Sequence, residues 1–298
     1  MLLTHHARYA MHLSLFVFFI GLGCGSLRAQ TPKNDPNKNQ DPQAIDPSDI
    51  AIITAVPNRP TFSTTAESVQ SGIFEVEYGF EVGDGHQNIN GLLKFGVTKN
   101  LELRFANNPI ERDFGVAGRG DSGAGFKYKL VEEKSWYPTF SVLYTAFIPT
   151  ATADVGLGAM GHSAGILVSK DFGKHHFDFN ETAQWLGRGG ANGPGANGQG
   201  ANGFDRNYFT ALAYSHGVRG KLGMTAEVAG FSRTNATTPA TMIIMGAGIY
   251  NVSSRCIVDF GIYVAAYGQL PRVTFFSGVT YSVADLYHRR RDRKTKAN

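Results

Sequence analysis

Residues Gly72 to Val82 read GIFEVEYGFEV, so that Phe74, Val76, Tyr78, Phe80 and Val82 alternate with Glu75, Glu77, Gly79 and Glu81. A repeat of two is that of a β-strand, whose successive side chains point to opposite faces. Eleven further segments read as strands: Asn88–Val97, Leu101–Ala106, Gly123–Val131, Thr139–Ile148, His162–Lys170, His176–Leu186, Asn207–His216, Leu222–Phe231, Met242–Tyr250, Cys256–Val264 and Arg272–Val283. In His176–Leu186, Phe177, Phe179 and Trp185 alternate with His176, Asp178, Asn180 and Gln184, while Glu181 falls on the apolar side. Met242–Tyr250 is apolar on both faces, so its facing is not readable.

The connections carry a second pattern. Thr98–Asn100, Asp171–Lys174, Gly217–Lys221 and Val252–Arg255 are short, and Asn107–Arg119, Pro149–Gly161, Gly187–Arg206 and Ser232–Thr241 are long. The two kinds alternate, as the periplasmic turns and outside loops of outer-membrane barrels do. Two connections depart from the rule: Gly83–Gln87 is short where a long loop is expected, and Glu132–Pro138 is longer than a tight turn. The patterns predict an all-β fold, a transmembrane antiparallel up-and-down β-barrel of about twelve strands over residues 72–283, set in a bacterial outer membrane.

Composition agrees with a wall of strands. Of 298 residues, 17% are charged, against roughly 25% in soluble domains. Residues 1–29 read as a signal peptide: the apolar run Leu13–Leu22 is shorter than the roughly 20 residues of a spanning helix, and Leu27-Arg28-Ala29 offers a cleavage site. Lipidation at Cys24 is the alternative. Cleavage after Ala29 leaves Cys256 as the one cysteine, which excludes an internal disulfide. Residues 30–71 are expected to be a disordered or linker segment, beginning QTPKNDPNKNQDPQAI. Residues 284–298 form a basic tail, with Arg289, Arg290, Arg291, Arg293, Lys294 and Lys296 against Asp292. That tail accounts for the net charge of +4, so no nucleic-acid face is expected. The loop with three Ala-Asn-Gly triplets, starting at Ala191, Ala196 and Ala201, reads as a low-complexity outside loop.

Most short motifs reduce to fold features. Gly156-Leu157-Gly158-Ala159-Met160-Gly161 has dinucleotide spacing, but a strand follows it where a helix is needed. Asp49 to Ala55, DIAIITA, resembles an energy-coupling box, yet the chain has no room for the roughly 22 strands such transporters carry. His176 and Asp178 share a face while His175 points away, which makes no metal site, and no cofactor is expected. His162 and Ser163 are neighbours on a strand and face opposite sides, so an outer-membrane lipase is a distant reading and the chain is not expected to be an enzyme. Arg119-Gly120-Asp121 matches an adhesion tripeptide at a strand entrance.

The polar faces hold the candidate site. Glu75, Glu77, Glu81, Lys94, Glu102, Arg104, Lys127, Lys129, Asp178, Glu227, Asp259 and Arg272 are expected to line the lumen. Facing lipid, each Arg or Lys would cost roughly 2–4 kcal/mol near the midplane. Facing a lumen, the two signs either hold the barrel shut through salt bridges or form a charged constriction. Gly278 to Val283, GVTYSV, looks like the Gly-x-x-aromatic-x-apolar insertion signal of outer-membrane proteins. The expected partners are therefore the lipid bilayer, lipopolysaccharide and the outer-membrane assembly machinery, with a small-molecule cargo of unknown identity.

Asn58-Arg59-Pro60-Thr61-Phe62-Ser63-Thr64-Thr65-Ala66-Glu67-Ser68-Val69, followed by Gly72 and Phe74 to Phe80, resembles the opening of an outer-membrane family named for transport in the phenol meta-degradation pathway. Phe95 to Arg104, Gly120-Asp121 and Lys127 to Leu130 resemble later parts of it. Asn58 stands where that family usually has Asp. The resemblance spans roughly Pro57 to Val283 and implies a barrel passing hydrophobic or aromatic compounds. The expected function is passive movement of small molecules across the outer membrane, with Leu143 and Phe147 as apolar inward residues. The alternative is a closed structural or adhesive barrel acting through its outside loops.

Overall fold

A computed structural model describes residues 53–113, 115–152, 155–188, 203–234, 239–268 and 273–287. Thirteen strands follow in order: β1 Ile73–Gly83, β2 His86–Gly96, β3 Leu101–Asp113, β4 Val116–Gly118, β5 Ser122–Val131, β6 Thr139–Ile148, β7 Gly161–Phe172, β8 His175–Gly187, β9 Phe204–Arg219, β10 Leu222–Phe231, β11 Thr241–Ser253, β12 Cys256–Tyr267 and β13 Val273–Asp285. Each long strand pairs antiparallel with its neighbours, and β1 pairs with β13, which closes the sheet. The three-residue β4 only borders the end of β3, so twelve strands make the barrel. Closure removes the unpaired edges that an open sheet would present to lipid.

The alternation sets which side faces which medium. Phe80, Leu103, Phe105, Ile166, Leu212, Val228, Ile244, Phe260 and Phe275 all point outward and are exposed. A continuous apolar belt of this kind is stable against hydrocarbon, not water. Among the described residues no helix is long and apolar enough to cross a membrane. Glu181, the exception on β8, does face outward, and it accepts a hydrogen bond from Thr210 Oγ1 at 2.5 Å.

Several boundaries differ from those expected. Asn107–Arg119 is mostly strand, because the β2–β3 hairpin continues past a register shift between Ile89 and Gly91 that breaks the alternation. Gly83–Gln87 is a tight turn around Asp84 and Gly85, the latter at φ 69°, a conformation that favours glycine. Residues 132–138 are longer because they fold against the next hairpin: Glu133 accepts from Lys170 Nζ at 2.9 Å and from Asp171 N at 3.0 Å. The signal segment, the Ala-Asn-Gly repeats apart from Gly203, residues 288–298 of the basic tail and Arg272 lie outside the described residues, while Ala284 and Asp285, expected as the start of the tail, end β13.

The largest departure concerns residues 53–71, expected as the end of a linker. They run inside the barrel, entering at the short-turn rim, where Ala55 N donates to Ser254 O at 2.8 Å, and returning there to begin β1. Asn58, Thr61, Thr64, Thr65, Ala66 and Val69 are all fully enclosed. The segment has no strand or helix of its own, so its backbone polar groups need partners from the wall.

Candidate functional site

The inner wall supplies those partners strand by strand. Val56 N donates to Glu75 Oε2 at 3.0 Å and Asn58 N to Glu77 Oε1 at 2.8 Å. Phe62 N and Ser63 N donate to the two oxygens of Glu227, at 2.7 and 2.6 Å. Thr64 N donates to Asn180 Oδ1 at 2.6 Å, and Asn180 Nδ2 donates back to Thr64 O at 2.8 Å. Val69 N donates to Glu102 Oε2 at 2.8 Å. Lys94 Nζ reaches Val56 O at 2.5 Å, and Lys127 Nζ reaches Thr65 O at 3.1 Å and also Glu67 O. A lone amide is thus repeatedly met by a charged group, the stronger kind of hydrogen bond.

The charged residues also neutralise one another. Glu75 and Lys94 are cross-strand partners 2.6 Å apart, and Lys94 also contacts Glu77. Arg104 pairs with Glu102 at 2.9 Å, and Lys127 lies 3.4 Å from the same carboxylate. Three cations and three carboxylates therefore form one buried cluster on β1, β2, β3 and β5. Lys129 pairs with Glu67 of the enclosed segment at 3.2 Å. The Asn58 amide, turned so that its oxygen faces the cations, accepts from Lys94 at 3.1 Å and Arg104 at 3.2 Å. A carboxylate at this position would meet the same two cations.

Arg59 anchors the segment through its side chain. Its Nε and Nη2 each donate to Asp259 at 3.1 Å, and Nη1 donates to Asn90 Oδ1 at 2.9 Å. It lies on the closing seam, over the paired glycines Gly79 and Gly278. A Cβ at Gly79 would sit 2.1 Å from Arg59 Cζ, so only glycine leaves room for the guanidinium there. Glu81, farther along β1, accepts from Asn90 Nδ2 at 2.9 Å and Tyr263 OH at 3.1 Å. Asp178 accepts from Ser169 Oγ at 2.5 Å, and Ser169 Oγ in turn accepts from Ala66 N at 2.7 Å.

Eleven of the twelve expected lumen residues thus point inward, and most of them hold residues 53–71 directly or through one neighbour. The β9–β13 side of the lumen adds a large apolar surface beside Glu227 and Asp259. Phe209, Ala211, Ala229, Ile243, Met245, Tyr263 and Phe276 of β9–β13 form one buried cluster with Phe62. Phe62 meets the Tyr263 ring edge-on at 5.1 Å. Leu143 and Leu167 close around Ala66. Sequence reasoning missed the role of Phe62, although its place within the motif stretch from Asn58 to Val69 was a usable signal.

The connection between β6 and β7 also folds inward. Leu157 is buried against Ala106, Phe147 and Leu186. Asp121 holds this connection by accepting from Ala151 N at 3.0 Å and Leu157 N at 2.8 Å. Burial raises the Asp121 carboxyl above its ordinary range, and the bonds from Leu157 and Ala151 act against that rise. Asp121 is therefore a buried fastening, which removes the adhesion reading of Arg119-Gly120-Asp121. His162 points outward, with Nδ1 2.7 Å from Tyr144 OH, while Ser163 points inward, so the two form no catalytic pair. Among the described residues no group of three or more His, Cys, Asp or Glu could hold a metal ion.

No family model and no curated protein matches this chain. Solved structures do. An outer-membrane channel from Pseudomonas putida F1 superposes with a TM-score of 0.56 at 12% identity, covering 72% of this chain and 97% of that one. The NanC porin gives 0.52 at 8% identity, covering 70% and 100%. The KdgM porin gives 0.50 at 7% identity, covering 70% and 99%. Likeness at such low identity establishes the fold. The closed wall, the apolar outer belt and that fold are those of a bacterial outer-membrane barrel.

Proposed function

We propose that this barrel is a channel for small molecules with apolar or aromatic bodies, kept shut by residues 53–71. The observation that carries the reading is the apolar inner wall of β9–β13 beneath Phe62. A wall serving only hydrated solutes has no use for Ile243, Met245, Phe209 and Phe276 on its inner side, where water would otherwise stand. The enclosed segment covers this wall with the Phe62 ring and is fixed through charges on both sides, by Glu75, Glu77 and Glu102 and by Glu227 and Asp259. A shift of the segment would expose an apolar surface along the lumen while leaving the outer wall intact. The sequence resemblance supports the same class of cargo.

The charged residues then act as the fastening of the gate rather than as a filter in open water. Their pairing with backbone groups of residues 53–71 leaves them little freedom to select a passing ion. The reading is tested in vesicles whose outer leaflet is lipopolysaccharide, which slows passive entry of apolar solutes. Reconstituted protein lacking residues 53–71 is expected to speed entry of an aromatic alcohol more than that of a sugar of similar size. Equal rates with and without protein would favour the closed structural barrel.

A further inference from the structure

A group of imidazoles, phenols and cations lies on the outer surface at the short-turn rim, away from the lumen. His175 of β8 and His216 of β9 are cross-strand partners whose rings stack at 4.7 Å. Tyr214 stacks on His175 at 5.8 Å, and its hydroxyl lies 2.8 Å from His175 Nδ1. Phe177 packs on Tyr214 at 5.2 Å, and Phe172 on Phe177 at 6.0 Å. His216 Nδ1 is buried and has no hydrogen-bond partner. The adjoining turns carry Lys174, Arg219 and Lys221, all exposed.

Two of the acids nearest this rim site are already engaged, while Glu132 of the neighbouring connection is exposed. Asp171 is held by His176 at 2.5 Å and Glu133 by Lys170 at 2.9 Å. Lys174 and Arg219 pair with no carboxylate among the described residues. Phe177 and Tyr214 begin the apolar belt, so His175 and His216 stand one pleat toward the rim, at headgroup depth. When Tyr214 donates to Nδ1, the neutral His175 ring carries its proton on Nε2 and remains a donor. The His175 Nε2 donor, the Arg219 guanidinium and the Lys174 ammonium at that depth match a phosphate diester.

We propose that this rim of β7–β9 is a binding site for the headgroup of an anionic phospholipid in the periplasmic leaflet. The inference needs only the membrane setting, so it stands or falls apart from the transport reading. The test is native mass spectrometry of the refolded protein released from micelles holding equal amounts of phosphatidylglycerol and phosphatidylethanolamine. Two double variants are compared, Lys174→Ala with Arg219→Ala, and His175→Ala with His216→Ala. Wild-type protein is expected to retain phosphatidylglycerol about tenfold over phosphatidylethanolamine, and each double variant to lower that ratio at least about threefold. The wild-type ratio needs no variant, and a value near one overturns the proposal. A ratio that either folded variant leaves unchanged also overturns it. Lys174 and Arg219 sit at a turn and a strand end, so that variant keeps the question answerable if the histidine variant fails to fold.

Discussion

Arg59 shows how one residue can decide the state of the lumen. Its guanidinium satisfies Asp259 through two bonds in a site where neither side chain meets solvent. Removing one partner of a buried pair leaves the other charged and unpaired, a loss of about 3–5 kcal/mol. Arg59→Ala is therefore expected to lower the temperature of the heat-induced gel shift and to raise ion conductance in a planar bilayer. Gly79→Ala keeps every charge but places a methyl where the guanidinium lies, and it is expected to raise conductance in the same way. Unchanged conductance in both variants would show that Arg59 does not fasten the segment. The pairing was half legible in the chain. Asp259 reads as inward from the alternation of β12, but no spacing joins it to a residue 200 positions away.

At the scale of elements, the strand pattern was readable and the filling was not. Period-two alternation in β1 assigned Glu75, Glu77 and Glu81 to one face because each strand here separates hydrocarbon from an interior. Residues 53–71 have no such period, since they touch wall on every side. Their order comes from side chains spread over β1 to β12, which a local reading cannot assemble. The β3 extension was hidden for a simpler reason: a register shift moves its alternation out of phase near Asn107. The inward-folded connection between β6 and β7 depends on Asp121 in the same distributed way. Asp121→Ala removes the acceptor of two backbone bonds at about 1 kcal/mol or more each. Limited proteolysis within residues 150–157 is expected to quicken by about tenfold, while Asp121→Asn, which keeps one acceptor oxygen, is expected to change it less. Equal cleavage in all three proteins would mean that Leu157 alone holds the connection.

Across the whole molecule, the lumen holds a dense charged cluster on one side and an apolar cluster, flanked by Glu227 and Asp259, on the other, with the enclosed segment between them. Charges on β1, β2, β3 and β5 hold its backbone, and Phe62 lies on the apolar wall of β9–β13. On the proposed channel reading, this arrangement lets a tightly closed barrel still offer an apolar path. Most of the charged fastening lies outside that apolar wall, and Glu227 and Asp259 fasten the segment from within it. The outer surface is set independently, by the apolar belt and by the basic rim around His175. The most direct measurement is the planar-bilayer conductance of wild-type protein beside a variant lacking residues 53–71, both shown to be folded by heat-modifiable mobility. The account predicts a small conductance for the wild type and a rise of at least about tenfold on removal of the segment. Equal conductance in the two proteins would contradict it.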